Sequence, residues 1–213
     1  LRTFSLGYTY EYDTRITGLN PKGGILLRFG QDFAGLGGDT KYIETTALAL
    51  AETKILNEEV TLRAVFEGGA VTSLGGNISR VTERYFGNGK IRGFEPNGIG
   101  PRDLAATDQD ALGGNLFAVA RFEAEFPLGL PEEYGITGGA FLDVGSVWSL
   151  DNTAGGPAGA NPVDDSFIPR ASVGVSVFWN TPIGPLRFNF SHALKMEDYD
   201  KEQNFDLTIS TKF

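Results

Sequence analysis

The stretch Arg121-Phe122-Glu123-Ala124-Glu125-Phe126 decides the fold of this 213-residue chain. Its apolar and charged residues alternate with a period of two, which is the period of a β-strand. One face of the strand is therefore apolar and the other carries three ionised side chains. A strand with charges along the middle of one face is typical of a sheet that has one oily and one hydrated side.

The same alternation recurs along the whole chain, and no stretch reads as a helix. It predicts about nine strands, each near the 9–11 residues that a tilted strand needs to cross a bilayer. The pattern is weaker in the second and third strands, where Leu26 and Leu48 interrupt it. The predicted strands cover residues 2–13, 23–34, 40–53, 58–71, 114–127, 134–148, 167–180, 184–195 and 203–213.

Short and long connections alternate between these strands, as expected for an antiparallel sheet. The short ones, at 19–23, 57–59, 127–133 and 181–185, contain Pro, Gly or Asn. The long polar ones run over about 73–113, 149–166 and 195–203. A loop as long as 73–113 is usually functional or disordered, and its many turn residues favour a functional one.

Two all-β architectures fit this pattern. A soluble β-sandwich also alternates and is the default interpretation of alternation alone. However, Arg63, Glu67 and Asp143 join the charges of the opening stretch at mid-strand positions on the hydrated face. A transmembrane β-barrel places such a face around a hydrated lumen and its apolar face against lipid, so the barrel is favoured. Aromatic residues toward the strand ends fit its interfacial girdles.

Composition excludes several classes of function. The net charge of -9 and the lack of a Lys/Arg cluster argue against nucleic-acid binding. Because the chain has no cysteine, a disulfide scaffold, a thiolate zinc site and a cysteine nucleophile are excluded. The single histidine, His192, lacks the partners of a catalytic triad or a metal site and is interpreted as an interface or packing residue. We expect no enzymatic activity, no catalytic residue, no bound metal and no cofactor.

Within the long loop, the run Lys90 to Asp103 contains the motif Ile91-Arg92-Gly93-Phe94. This run resembles the conserved loop of the Omp85 superfamily of outer-membrane assembly and translocation barrels and, within it, of the BamA family. The resemblance covers essentially the whole chain, and several motifs in the right order make it specific. Those motifs lie at residues 112–115, 126–128, 140–148, 170–175 and 182–187.

The resemblance implies that residues 1–213 are the C-terminal part of a sixteen-stranded barrel, with residue 1 near the eighth strand and POTRA domains preceding the barrel. It also implies that the loop at about 73–113 folds into the lumen, where Arg92 meets Glu123 and Asp143 on the barrel wall. An arginine desolvated inside a barrel needs carboxylates, and its planar fork can use two of them. Alternation independently places both carboxylates on the hydrated face.

The family assembles and inserts other β-barrel proteins. Its first and last strands pair weakly, so that a lateral seam can open and present an unpaired edge to client strands. The matching seam strand here carries Phe205, Leu207, Ile209 and the terminal Phe213, with Ser210 where the family usually has Gly. The implied location is the bacterial outer membrane. The implied partners are unfolded outer-membrane β-barrel clients, outer-membrane lipids and lipopolysaccharide, and accessory lipoproteins that act through the POTRA domains.

Two other membrane functions remain open at this point. A translocation and assembly barrel of the TamA type shares the motif loop and the Asp-x-Gly strand, although the run 96–103 and the turn 127–133 favour BamA. A passive porin-like channel predicts ion conductance that does not depend on Arg92.

Overall fold

The computed structural model describes residues 2–15, 23–35, 37–182 and 184–209, and these residues form an all-β protein. Three short 3-10 turns lie at Val81–Glu83, Glu132–Tyr134 and Pro157–Gly159. The predicted all-β, antiparallel class is confirmed. The strands are β1 (Ser5–Asp13), β2 (Gly23–Ala34), β3 (Tyr42–Ile55), β4 (Val60–Ser73), β5 (Leu116–Pro127), β6 (Ile136–Trp148), β7 (Ala154–Gly155), β8 (Asn161–Pro162), β9 (Arg170–Thr181), β10 (Gly184–Lys195) and β11 (Phe205–Ile209).

Nine of these strands form one antiparallel sheet in the order β1-β2-β3-β4-β5-β6-β9-β10-β11. Each strand pairs with its neighbour in sequence, except that β6 pairs with β9 across the connection that holds β7 and β8. These last two strands form a small separate hairpin that the sequence pattern did not predict. The sheet does not close on itself within the described residues, so β1 and β11 are its edges.

The nine long strands are those predicted from alternation, with ends that differ by at most a few residues. Strand β11 begins at Phe205 rather than at 203 because residues 200–203 make contacts of a different kind, which are described below. Phe213 and Ser210 lie outside the described residues.

The outer face of the sheet is apolar and exposed. Large side chains project from it on most strands, namely Ile25, Phe29, Phe66, Phe122, Leu142, Val175 and Phe190. Two tryptophans lie at opposite ends of this face. Trp148 ends β6 at the long-loop end, whereas Trp179 of β9 is paired with Ile136, the first residue of β6, at the short-turn end. Among the described residues, no helix is long and apolar enough to span a membrane.

The inner face is concave and mostly polar. Its curvature is visible in a hydrogen bond from Arg187 of β10 to Glu123 of β5, two strands that are separated in the sheet by β6 and β9. The buried polar side chains of this face include Asn189, Ser172 and Ser176.

The interruption of the alternation in β2 and β3 also has a structural cause. Leu26 lies opposite Leu50, and Leu50 lies opposite the buried Val65 on the inner face. The inner face is therefore not uniformly polar, and apolar residues on both faces blur the period of two.

Candidate functional site

The long connection between β4 and β5, residues 74–115, folds back onto the inner face and is called the inner loop below. Ile91, Phe94 and Ile99 are at most 9% exposed. They form a hydrophobic core with four inward-facing residues of the sheet, namely Phe117, Val119, Val147 and Ala193. Since this burial removes apolar surface from water on both partners, the inner loop is held as an ordered part of the fold.

Arg92 lies at the centre of this site. Its Nε donates to Asp143 Oδ2 at 2.8 Å and its Nη2 donates to Asp143 Oδ1 at 2.7 Å, which is a bidentate pair. Its Nη1 donates to Glu123 Oε2 at 2.5 Å, and its backbone N–H donates to Asp143 Oδ2 at 3.0 Å. The side chain of Arg92 is 12% exposed and that of Asp143 is fully buried. All three nitrogens of the guanidinium therefore donate to carboxylates at the same time.

The guanidinium also stacks on an aromatic ring. The Cζ atom of Arg92 lies 3.6 Å from the centre of the Phe141 ring, which faces inward two residues before Asp143. A planar cation over an aromatic face is attracted by the ring quadrupole, and the attraction is strongest where water is excluded. Phe141 thus covers the face of the guanidinium that the carboxylates leave open.

Glu123 is shared by three arginines. Its Oε1 accepts from Arg63 Nη1 at 2.9 Å and from Arg187 Nη2 at 2.8 Å, while Oε2 accepts from Arg92. A second group lies beside it, in which Glu67 accepts from Lys90 and from Arg121. Charges of both signs are thereby paired across β4, β5, β10 and the inner loop, so the buried carboxylate of Glu123 is surrounded by partly exposed arginines that neutralise it.

The charge of Arg92 is stabilised by these partners. Burial lowers the pKa of its guanidinium, but the hydrogen bonds to Asp143, followed by those to Glu123, outweigh burial and hold the pKa above the ordinary arginine value. Asp143 and Glu123 therefore stabilise the charged form of Arg92 against the effect of burial.

Two glycines allow the inner loop to approach the sheet. Gly93 has a φ of +90°, and a Cβ on it would lie 3.0 Å from the Cβ of Ser172. The Ser172 hydroxyl donates to the carbonyl of Arg92 at this point of closest approach. A Cβ on Gly145 would lie 2.9 Å from the Cδ1 of Ile91. The Asp-x-Gly of β6 thus supplies both the carboxylate for Arg92 and the space for Ile91.

The structure brings together the motif residues 91–94, Glu123 and Asp143. Sequence reasoning missed Phe141, Arg63 and Arg187 as parts of the site, although alternation places Arg63 and Arg187 on the hydrated face. Of the seam residues, Phe205, Leu207 and Ile209 are exposed on β11 at the sheet edge, and Phe213 lies outside the described residues. His192 is exposed, and its Nδ1 lies 2.9 Å from Glu202 Oε1.

A family model described as the Omp85 superfamily domain matches residues 1–213. The chain belongs to the Omp85 superfamily. This Omp85 chain is 35% identical over 193 residues to the outer membrane protein assembly factor BamA of Neorickettsia risticii. The aligned residues cover 91% of the chain and 25% of the relative. It is also 31% identical over 127 residues to the human sorting and assembly machinery component 50 homolog, covering 58% of the chain and 26% of that protein.

A solved structure gives the same fold. The crystal structure of BamA from Haemophilus ducreyi lacking POTRA domains 1–3 matches 99% of this Omp85 chain and 42% of the crystallised chain, with a TM-score of 0.81 and 22% identity. The chain spans about a quarter of the length of the curated relatives. The resemblance to the BamA family, the barrel fold and the location in the bacterial outer membrane are thereby confirmed.

Proposed function

We propose that this Omp85 chain is the C-terminal barrel part of a factor that folds β-barrel proteins and inserts them into the outer membrane. The names of its relatives support the general role, since they are an outer membrane protein assembly factor and a component of a sorting and assembly machinery. The single observation that carries the proposal is the Arg92 anchor, which fixes the inner loop to β5 and β6 on the inner face of the sheet.

The proposed mechanism is strand templating at β11. This strand pairs with β10 over five residue pairs, from Leu186–Ile209 to Phe190–Phe205, and has no partner on its other side among the described strands. An open edge displays N–H and C=O groups that another extended chain can satisfy. A client strand that adds to this edge gains main-chain hydrogen bonds and is aligned for insertion. This step needs no nucleotide, metal or covalent chemistry, so the proposed factor is not an enzyme and has no cofactor.

The inner loop supports an assembly factor over a passive channel. Its core residues lie against the inner face at the long-loop end, where a porin would keep a water-filled path. The proposed partners are unfolded β-barrel clients at the seam and outer-membrane lipids with lipopolysaccharide at the apolar outer face. Accessory lipoproteins are proposed to act through POTRA domains that precede this part of the barrel.

The test is complementation by the full-length protein in cells depleted of their own assembly factor. Arg92→Ala is expected to abolish growth and to reduce the amount of heat-modifiable client barrels in the outer membrane. The matched control is Arg28→Ala, which removes an exposed ion pair with Glu11 on the same sheet and is expected to complement fully.

Two outcomes contradict the proposal. If neither the wild type nor Arg92→Ala restores growth and client assembly, while both conduct ions equally in planar bilayers, the porin-like interpretation is correct. If the wild-type protein fails to restore general client assembly but supports a narrow subset of substrates, a TamA-type barrel is the better interpretation.

A further inference from the structure

A second buried ion pair lies apart from the Arg92 anchor. Arg170, the first residue of β9, donates from Nε to Asp200 Oδ2 at 2.8 Å and from Nη2 to Asp200 Oδ1 at 3.1 Å. The side chain of Arg170 is 2% exposed and that of Asp200 is fully buried. The remaining donors of Arg170 bind the carbonyl of Ile168 at 2.8 Å and the hydroxyl of Tyr199 at 3.2 Å. The guanidinium is thus as fully partnered as that of Arg92.

Asp200 begins a segment, residues 200–203, that is called the latch below and that leads directly into β11. The latch is paired through its backbone with the inner loop. The Lys201 carbonyl accepts from Glu95 N–H at 2.9 Å, and Lys201 N–H donates to the Gly98 carbonyl at 3.0 Å. Farther along, Gln203 N–H donates to the Gly93 carbonyl at 3.0 Å. The inner loop and the latch therefore share a short two-stranded contact, with Phe94 opposite Glu202.

The latch is also fixed to β10. The Glu202 carboxylate accepts from Ala193 N–H at 2.8 Å, and the carbonyl of Gln203 accepts from the Ser191 hydroxyl at 3.1 Å. Two residues after Gln203 the chain becomes β11. As a result, Gly93, the neighbour of Arg92, is hydrogen-bonded to Gln203, and Gln203 lies two residues before Phe205, the first residue of the edge strand.

We propose that Arg170 and Asp200 are positioning residues that couple the inner loop to the edge strand β11. Asp200 fixes the start of the latch, the latch pairs with residues 93–98, and the Arg92 anchor fixes those residues to the wall. Because the coupling of two sites is reciprocal, loosening the latch must loosen the inner loop, and loosening Arg92 must loosen β11. The identification of β11 as the seam strand rests on the proposed function, whereas the coupling itself does not.

The test is hydrogen–deuterium exchange, read by mass spectrometry, on the folded full-length protein in detergent micelles. Asp200→Asn keeps the shape of the side chain and removes its charge. It is expected to raise the exchange rate at least about 5-fold in the peptides that cover 93–98 and 205–209, and not only in the latch. Arg92→Lys is expected to raise exchange in 201–209 by a similar factor. Asp164→Asn, which changes an exposed carboxylate, is the matched control and is expected to change neither region.

A second pair of variants tests the backbone contact without substituting a residue of either ion pair. Lys201→Pro removes the N–H that binds the Gly98 carbonyl, whereas Lys201→Ala retains it. Only the proline variant is expected to raise exchange in the inner loop. This pair decides the question if Asp200→Asn fails to give a heat-modifiable folded barrel.

The coupling is overturned if Asp200→Asn changes exchange in residues 197–203 alone, or if the proline and alanine variants give equal protection of residues 93–98. The conservative variant Asp200→Glu retains the carboxylate and is expected to restore part of the protection that Asp200→Asn loses. Exchange is measured without reference to activity, so a protein that shows the coupling but assembles no clients contradicts the proposed function and leaves this inference intact.

Discussion

The side chain at position 92 must donate hydrogen bonds to two carboxylates in different directions at the same time. Asp143 takes two hydrogen bonds from one edge of the guanidinium, Glu123 takes one from another edge, and the ring of Phe141 covers its face. Lysine carries the same charge but offers a single rotating ammonium, which cannot reproduce the fork or the stacking. The residue type at this position is therefore fixed by geometry more than by charge.

Arg92→Lys is accordingly expected to lower the free energy of unfolding by about 1–3 kcal/mol, because at least two charge-assisted hydrogen bonds are lost. Arg92→Ala is expected to lower it by about 3–5 kcal/mol, since it leaves a buried carboxylate without its partner. Urea unfolding of the full-length protein in micelles measures both. The exposed pair supplies the control, and Arg28→Lys is expected to stay within about 0.5 kcal/mol of the wild type. Equal losses of unfolding free energy in Arg92→Lys and Arg28→Lys would contradict the proposed role of Arg92 as an anchor.

Gly93 and Gly89 form a matched pair for backbone strain. Both have a positive φ, but a Cβ on Gly93 meets Ser172, whereas nothing lies within 4 Å of a Cβ on Gly89. Gly93→Ala is expected to destabilise the protein by about 2–3 kcal/mol and Gly89→Ala by about 1 kcal/mol. The same unfolding experiment compares them, and a larger effect at Gly89 is the contradicting result.

Glu202 gives the latch a dependence on pH. The N–H of Ala193, followed by the imidazole of His192, lowers the pKa of this carboxyl below its ordinary value. A carboxyl with a lowered pKa contributes stability that is complete above its unfolded pKa and is lost as the pH falls through the folded pKa. The contribution of this partly exposed group is at most about 1 kcal/mol.

The corresponding measurement compares the wild type with Glu202→Gln in urea at several pH values. The wild type is expected to be the more stable at neutral pH, and the difference is expected to vanish in the acid range below the ordinary pKa of glutamate. A difference that stays constant down to that acid range would show that the ionised carboxylate is not the cause.

At the scale of elements, the inner loop is a packed unit with its own anchoring side chains. Phe94 is 9% exposed and belongs to the core formed with Phe117 and Val147. The core joins the loop to β5 and β6. The loop is therefore held by apolar burial as well as by the Arg92 ion pairs.

Phe94→Ala is expected to destabilise this unit by about 3–5 kcal/mol, because it leaves a cavity in a packed core. Limited proteolysis of the folded protein is expected to cut the inner loop faster in this variant. Leu104→Ala, at a half-exposed position of the same loop, is the control and is expected to leave the cleavage rate unchanged. Equal cleavage of the two variants would mean that Phe94 does not hold the loop.

The strands themselves could be predicted because their two faces differ. Phe122 and Glu123 are neighbours in sequence, and the structure leaves the first exposed on the outer face and buries the second on the inner face. The small hairpin β7–β8 could not be predicted, since two-residue strands are too short to show a period.

At the scale of the whole molecule, the carboxylate partners of Arg92 could be predicted from the sequence. The ion pairs of Glu123 with Arg63 and Arg187 could not. Alternation puts Arg187 on the hydrated face but does not show how far the sheet curls. Only that curvature brings Arg187 to Glu123, 64 residues earlier in the chain. The sequence also does not explain why the apolar Val65 faces inward. The structure shows that Val65 is buried on the inner face, opposite Leu50.

Because Trp148 and Trp179 lie at opposite ends of the outer face, tryptophan fluorescence can measure how deep each end of the sheet lies in the bilayer. They mark the two ends of β6, a strand of 13 residues. At a rise of about 3.3 Å per residue and a tilt of about 40°, their levels differ by about 30 Å along the bilayer normal, which is the thickness of the hydrocarbon layer. Each indole should thus report from its own headgroup region. In single-tryptophan proteins, lipids brominated near the glycerol should quench both emissions strongly, while bromine at the acyl termini should quench neither.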